Sequence, residues 1–468
     1  MINKHPSSFR DNSGYVFTFE NAIYRFIDLS YEDNYRALTE SGLYNELTSK
    51  NKLVKHTEED AVKFSGITGD KNLYKIIRPE RIPFISYPYE WCFSQLKAAA
   101  LLTLDIQLTA LEYGMTLKDA SAYNIQFLGG SPVFIDTLSF EKYRENSTWK
   151  AYSQFCRHFL APLAVIAYKD YRLHKIIADY IDGIPPDLAV KLLPVKSAFN
   201  IGLLMHLYLN AGVSKRAETK PREKPAAVSM PKNRMKGVIT NLMQTVKKLE
   251  YDNDVSGCGS WKGYYSFTNY SESAFNEKIR LVTEFINKCD ENKFITDIGA
   301  NNGLFSRVAA DALPDSLIVS SDMDFNAVEE NFRLLKQENR SNIHPLIADI
   351  TNPAAAIGWG NTERSALLSR ISGSDIIMAL ALIHHIAITN NVPLENIGEL
   401  FAAAAKYLII EWVPKDDSQT QIILGGKEDI FSSYNMECFE KCFSKFFHIL
   451  EKRAINGTKR TLYLMKRK

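Results

Sequence analysis

Three aspartates each stand at the end of an apolar run in the C-terminal half of the chain: Asp297 in "FITDIGANNGLF", Asp322 in "LIVSSDMDF" and Asp349 in "PLIADI". A carboxylate so placed can accept hydrogen bonds from a ligand. Asp297 suits an ammonium, directly or through a water, and Asp322 suits both hydroxyls of a ribose. Asp324 competes for the second role but is better placed to cap a helix that starts near Asn326. Asp349 offers itself to an exocyclic amine such as that of adenine. Between the first two acids lie Gly299, Asn301 and Gly303. The glycines let the backbone turn tightly and a ligand come within contact distance. The helix that follows, from about Leu304, presents unpaired N–H groups to a ligand carboxylate. Their Gly-x-x-x-Gly spacing differs from the Gly-x-Gly-x-x-Gly of pyrophosphate-binding turns.

Further along, "DIIMALALIHHI" supplies Ala379 and Leu380 to line the same ligand and His384 or His385 to line a reaction chamber beside it. Histidine titrates near neutrality and can take a proton from an oxygen nucleophile. Packing under a sheet and shaping a pocket are the alternative roles for the pair. Glu411, in "LIIEWVPKDD", is a second candidate for acid–base work or substrate contact. Upstream, Tyr264 or Tyr265 of "WKGYYSF" could close over the ligand, where an aromatic face attracts a cation. The alternative is simple packing against the sheet.

These residues need a scaffold that brings strand ends together. Short apolar runs at Phe294–Ile298, Leu317–Ser321, Ile343–Ile347, Asp375–Leu380 and Leu408–Trp412 alternate with helical stretches such as Asn326–Gln337 and Leu394–Ala405. That pattern predicts a parallel sheet covered on both faces. Two later runs, Phe447–Lys452 and Thr461–Met465, flank an Asn456-Gly457 turn and predict an antiparallel pair at the sheet edge. The expected fold is α/β, a doubly wound Rossmann-like sheet with an antiparallel last strand. Such sheets bind ligands at the carboxyl ends of their strands.

In this order and spacing, "DIGANNG", "SDMD", "IAD" and "IIMALALIHHI" resemble the successive motifs of class I S-adenosylmethionine-dependent methyltransferases, from roughly Trp261 to the C-terminus. The resemblance implies S-adenosylmethionine as cofactor and no metal in this domain. It implies Asp297, Gly299 and Gly303 at the methionine moiety, with Asn301 in the same turn, Asp322 at the ribose and Asp349 at the adenine amine.

The first half carries a different set in "GMTLKDASAYNIQFLGGSPVFIDTLSF", which reads as loop, strand, Gly-Gly turn, strand. Asp119, Asn124 and Asp136 lie at or near its strand ends. Phosphoryl transfer uses such a set, one carboxylate to orient a hydroxyl and an amide with a second carboxylate to hold magnesium. The Asp-x-x-x-x-Asn spacing resembles the catalytic loop of protein-kinase-like and aminoglycoside-phosphotransferase-like folds, implying an α+β domain with a possible place for ATP and Mg. "GYVFTFENAIYRFI" fits an N-lobe hairpin and "ERIPFISYPYEW" a lobe connection. Against an active kinase, there is no Gly-rich phosphate loop and no Val-Ala-Ile-Lys strand, Lys118 stands at the usual Arg position, and "IDT" replaces Asp-Phe-Gly. The expected domain is therefore degenerate, with hairpin-knitting as the alternative role of its polar residues.

A net charge of +2, with 24% charged and 46% hydrophobic residues in 468, sets no global bias toward nucleic acid or membrane. "MINKHPSSFRDNSG" lacks the apolar core of a secretory signal, and the apolar run "LKAAALLTLDIQLTALEYG" is broken by Asp105 and Gln107. The expectation is a cytoplasmic chain without a membrane span. Six scattered cysteines, with no Cys-x-x-Cys pair, predict buried free thiols and no zinc set. Between Ser214 and Lys236 the chain is rich in Lys, Arg and Pro, which predicts a basic linker able to touch an acidic partner, RNA or a lipid headgroup. The domains expected are 1–213, kinase-like; 214–236, linker; and 237–468, methyltransferase-like.

"FISYPYEWCFSQLKAAALL", "TLKDASAYNIQF" and "PVFIDTLSFE" also resemble the N-terminal blocks of nodulation host-specificity methyltransferase-like proteins, over most of the chain. That implies a methyltransferase acting on a glycan or small molecule, with the kinase-like domain for recognition or regulation. The competing readings are a bifunctional kinase-methyltransferase acting on a glycan end, an RNA methyltransferase, and a non-catalytic cofactor-binding scaffold. The near-neutral charge counts against nucleic acid.

Overall fold

Apolar residues alternate sides along the parallel strands of the C-terminal half, so that Ile376 and Met378 enter one core and Ile377 and Ala379 the other. A strand with both faces covered needs such a continuous apolar run. The computed structural model describes residues 2–60, 64, 72–212, 229–251, 270–290, 292–425 and 429–468. Tyr264, Tyr265, Cys258 and most of the 214–236 stretch lie outside the described residues. The described residues of 128–130, 259–356 and 365–468 form one compact unit, and those of 1–127, 131–258 and 357–364 another.

In the first unit, β1 (Asn3–Lys4), β2 (Gly14–Phe19), β3 (Ala22–Asp28), β4 (His56–Glu59) and β5 (Leu73–Pro79) make an antiparallel sheet in the order β1-β2-β3-β5-β4. The β2–β3 hairpin turns at Glu20 and Asn21, both at positive φ. The long helix Phe93–Glu112 is largely buried. It leads to β6 (Met115–Leu117), the pair β7 (Ile125–Leu128) and β8 (Ser131–Phe134), and β9 (Phe140–Lys142). The stretch from Gly237, expected in the second domain, lies within helix Lys232–Lys248, which packs in this unit. Its apolar stripe of Met235, Ile239, Leu242 and Val246 is buried, and the helix lies against Phe93–Glu112.

The second unit holds β10 (Phe294–Ile298), β11 (Leu317–Asp322), β12 (Ile343–Ile347), β13 (Ser374–Ala379), β14 (Ala405–Trp412), β15 (Phe447–Ala454) and β16 (Thr461–Arg467). They form one sheet in the order β12-β11-β10-β13-β14-β16-β15. The first five are parallel, and β16 runs antiparallel between β14 and β15. Helices Glu272–Asn287 and Leu304–Ala312 contribute to one core, and Leu394–Ala404 and Met436–Phe443 to the other. Because β16 is reversed, its first residue Thr461 pairs with Trp412, and the turn before it falls on the edge where the parallel strands end.

The link from β10 to helix Leu304–Ala312 departs from ordinary backbone at three positions. Gly299, Asn301 and Gly303 have φ of 74°, 51° and 76°, a region that glycine, and to a lesser degree asparagine, enters cheaply. At Gly303 a Cβ would also stand 2.3 Å from Asn331 Oδ1. Among the described residues no helix is long and apolar enough to cross a membrane. Of the described cysteines, Cys92, Cys156 and Cys289 are buried free thiols, while Cys438 and Cys442 are half-exposed.

Substituting Gly303→Ala combines left-handed strain with a clash, so it is expected to lower the unfolding free energy by about 1–3 kcal/mol, read as a reduced urea midpoint at unchanged m-value.

Candidate functional site

Asp297, Asp322 and Asp349 come from three neighbouring strands and line a single cavity of about 310 Å³ at the carboxyl edge of the parallel strands. Gly299, Ala300, Asn301, Leu380 and Leu382 lie on the same wall. A Cβ on Gly299 would approach Leu382 Cδ1 to 3.0 Å, so the turn leaves room that a side chain would take.

Each acid is held by its own local structure. Asp297 is 1% exposed, and its Oδ2 accepts from Ser306 at 2.7 Å. The Ser306 hydroxyl lies 2.8 Å from that of Ser320, which accepts from Asn331 Nδ2 at 2.9 Å. This chain of bonds ties the acid to the helices on either side of β11. Asp322 accepts from the backbone N–H of Asn301 at 2.7 Å and of Asp324 at 2.8 Å, so it fixes the glycine turn from the neighbouring strand. Asp349 accepts from the backbone and hydroxyl of Thr351. Asp324 caps helix Phe325–Glu338 through the N–H groups of Asn326 and Ala327.

Burial dominates the electrostatics. It raises the Asp297 carboxyl to about 7, with the charge of Asp322 adding to the rise and the Ser306 bond opposing it. Burial likewise raises Asp322 to about 6 against three backbone hydrogen bonds that oppose it. Among the described residues Lys278 is the one cation on the wall of this cavity, and it is already paired. Phosphates would find little compensation here, whereas an ammonium would meet two carboxyls.

The other candidate residues separate by depth. His385 lines the cavity with Ile386, Thr389 and Asn390, all presented by a π-turn helix at His385–Thr389 and its cap. His384 is fully buried behind it, the ring centroids 4.2 Å apart, and neither His384 nitrogen has a hydrogen-bond partner among the described residues. Burial holds both imidazoles below the ordinary histidine value. Ala379 is buried in the core, while Leu380 and Ala381 reach the wall, the latter at a φ of 51°. Gly303 sits against Asn331 behind the cavity.

Glu411 is fully buried and does not line the cavity. Its Oε2 is 2.6 Å from Lys278 Nζ, and its Oε1 takes Arg460 Nη1 at 3.3 Å together with the Tyr270 hydroxyl. Arg460 also grips Asp417 through two bonds of 2.8 and 3.1 Å. Burial raises the Glu411 carboxyl, but Lys278 and Arg460 outweigh it and hold the group below the usual range, hence ionised. A second cavity of about 260 Å³ opens on this cluster, lined by Asp416, Asp417, Ser418, Lys459 and Arg460, and it shares Tyr270 with the first.

Tyr270, Lys278 and Arg460 were not among the sequence candidates. Lys278 did leave a signal, because it interrupts the apolar stripe of Ala274, Leu281, Val282 and Phe285 on its helix, where a lysine needs a partner.

In the first unit, Asn124 and Asp136 meet at Ser139, and Asp119 lies near Asp136, whose charge adds to the rise that burial gives the Asp119 carboxyl. Asp136 Oδ1 is 2.5 Å from Arg25 Nη1, and its Oδ2 accepts from Ser139 at 2.5 Å. Asn124 donates to the same Ser139, and Asp119 accepts from the backbone of Ser121. Arg25 also pairs with Asp11 at 2.9 Å. The Arg25 guanidinium takes one oxygen of Asp136 and Ser139 the other, so the expected place for ATP and Mg gains no support from these side chains.

A seven-stranded sheet with its first five strands parallel, the next-to-edge strand reversed, and an acid-lined cavity at the carboxyl edge is the architecture of class I S-adenosylmethionine-dependent methyltransferases. Within that class, the chain belongs to the NoeA family: it is 35% identical over 463 residues to the nodulation protein NoeA of Rhizobium meliloti (strain 1021), covering 98% of this chain and 95% of that one. No family model matches the chain. Among solved structures, it is similar to the bifunctional kinase-methyltransferase WbdD, at 14% identity and a TM-score of 0.30, over 42% of this chain and 40% of that one. The magnesium protoporphyrin IX methyltransferase ChlM from Synechocystis PCC 6803 matches at 14% identity and 0.31, over 44% and 89% of the two chains. The N-methyltransferase NodS from Bradyrhizobium japonicum WM9 matches at 10% and 0.31, over 42% and 98%.

Glu411→Ala would leave Lys278 and Arg460 buried without their shared counter-charge. The expected loss is about 3–5 kcal/mol of unfolding free energy, measured by denaturant titration.

Proposed function

We propose that the second unit binds S-adenosylmethionine and transfers its methyl group to a small polar acceptor, a glycan end or a small metabolite. The first unit, kinase-like in its motifs, serves recognition or regulation. The observation that carries the reading is the convergence of Asp297, Asp322 and Asp349 on one cavity whose single cation among the described residues is already paired. An ammonium, a ribose and an adenine amine each have an acid to meet, in the order of the strands, and no phosphate is provided for. The donor, when bound, supplies an electrophilic methyl carbon on a positively charged sulfur.

The chain then has to position the nucleophile and take its proton. His385 lines the cavity as a neutral imidazole and is the proposed base. His384 backs it and sets its position. Glu411, buried and held by two cations, is proposed to fix Tyr270 and Lys278 at the cavity wall rather than to touch substrate. The second cavity, whose lining alternates carboxylate, hydroxyl and cation around Tyr270, is the proposed approach for the acceptor.

Titration calorimetry with S-adenosylhomocysteine tests the cofactor assignment: Asp322→Ala should weaken binding by about 1–3 kcal/mol, and absence of binding to the wild type would sink the proposal. Binding should also depend on pH in a set direction. The ligand's ammonium favours ionised Asp297, whose carboxyl titrates at about 7 in the free protein. Affinity is therefore full above that value and should fall by up to about tenfold per unit as pH drops below it. Asp297→Asn should flatten the profile. Once an acceptor is found, His385→Ala should lower kcat by about a hundredfold or more with S-adenosylhomocysteine affinity little changed.

A further inference from the structure

One helix of the first unit is apolar on both sides. It begins at Ile201, passes through a π turn at Leu204–Tyr208 and continues to residue 212. Its inner face is accounted for: Leu203, Leu207 and Ala211 are buried, and His206 bonds the Tyr152 hydroxyl and Asn241 at 2.9 Å each. Gly202 lies so close to Thr245 that a Cβ would overlap it, which pins the helix to Lys232–Lys248. The outer face has no such account. Ile201, Leu204, Met205 and Leu209 recur at helical spacing and are exposed, Ile201 at 70%. The preceding 3-10 turn adds Val195 at 82% and Phe199 at 85%. Six large apolar side chains on one short stretch of surface exceed the scatter of single exposed residues that soluble proteins carry.

Charge decides what covers this face. Lys196 sits between Val195 and Phe199, Lys191 ends a helix packed against the π turn, and Lys247 and Lys248 end the helix that holds Gly202; all four are exposed. Two acids lie near them: Asp187, 3.5 Å from Lys191, and exposed Glu250, two residues past Lys248. In sequence, the stretch 214–236 that follows the helix carries eight Lys or Arg against two Glu. A basic rim around an apolar centre would oppose itself if the face closed on a second copy. It complements a surface that offers acyl chains under anionic headgroups.

We propose that the Val195–Leu209 face docks the protein on an anionic lipid bilayer, lying on the surface with Phe199, Ile201 and Leu209 dipping below the headgroups and the lysines at headgroup level. It does not depend on the methyltransferase reading. Among the described residues no helix can span a bilayer, so the attachment is peripheral.

Co-sedimentation of the full chain with vesicles tests it. The wild type should bind vesicles of phosphatidylcholine containing about one-third phosphatidylserine, bind pure phosphatidylcholine far less, and release as salt is raised. Phe199→Ser with Leu209→Ser should reduce binding about tenfold or more. Lys191→Gln with Lys196→Gln should lower the preference for the anionic vesicles. All four positions are exposed, so thermal unfolding and S-adenosylhomocysteine affinity should stay at wild-type values. The proposal is overturned if the wild type ignores anionic vesicles, or if the serine variant binds them as well as the wild type. It is equally overturned if the serine changes instead abolish a concentration-dependent self-association seen by sedimentation velocity without vesicles, which would make the face an interface between copies.

Discussion

The second unit is built around the difficulty of keeping carboxylates where water is scarce. Desolvation penalises an anion more than any other single effect in such a place, and here three carboxyls face one cavity while a fourth lies deeper. Two of those three, Asp297 and Asp322, have raised proton affinities because burial disfavours their charged form. The deeper one, Glu411, is satisfied from within by Lys278, Arg460 and Tyr270. One sheet thus carries both acid that lines a cavity a cationic ligand can enter and acid paired from within.

The fold explains how these opposite cases sit side by side. Parallel strands deliver successive chain segments to the same edge, so Asp297, Asp322 and Asp349 meet though they are far apart in sequence. The reversal of β16 brings Arg460 to that edge as well, next to the end of β14 where Glu411 lies. The first unit shows the contrary outcome. Its Asp136 is answered by Arg25 and Ser139, one on each oxygen.

Sequence pattern revealed much of the second unit because its signals are local. Runs buried on both faces read directly as parallel strands, Asp324 read as a cap, and the glycine turn read from Gly299 and Gly303, each within a window of a few residues. The strands were placed to within a few residues, with β14 beginning at Ala405 rather than Leu408 because Ala405 and Tyr407 also pair with β13. Partnerships between distant segments were hidden. No spacing rule joins Tyr270, Lys278, Glu411 and Arg460, and none announces that Arg25 on β3 answers Asp136. The boundary expected at Gly237 falls inside helix Lys232–Lys248 for the same reason: nothing local identifies its packing partner, Phe93–Glu112.

The π turn at His385–Thr389 has a bearing on how this cavity can change over time. Such a turn holds one residue more than the α-helical turn it interrupts, and each residue in a helix rotates all that follows by about 100°. A lineage that lost a single codon there would swing Thr389 and Asn390 off the wall while leaving His385 in place. Gain or loss of one amino acid is thus a discrete lever on the cavity's shape, available to natural variation without touching the aspartates.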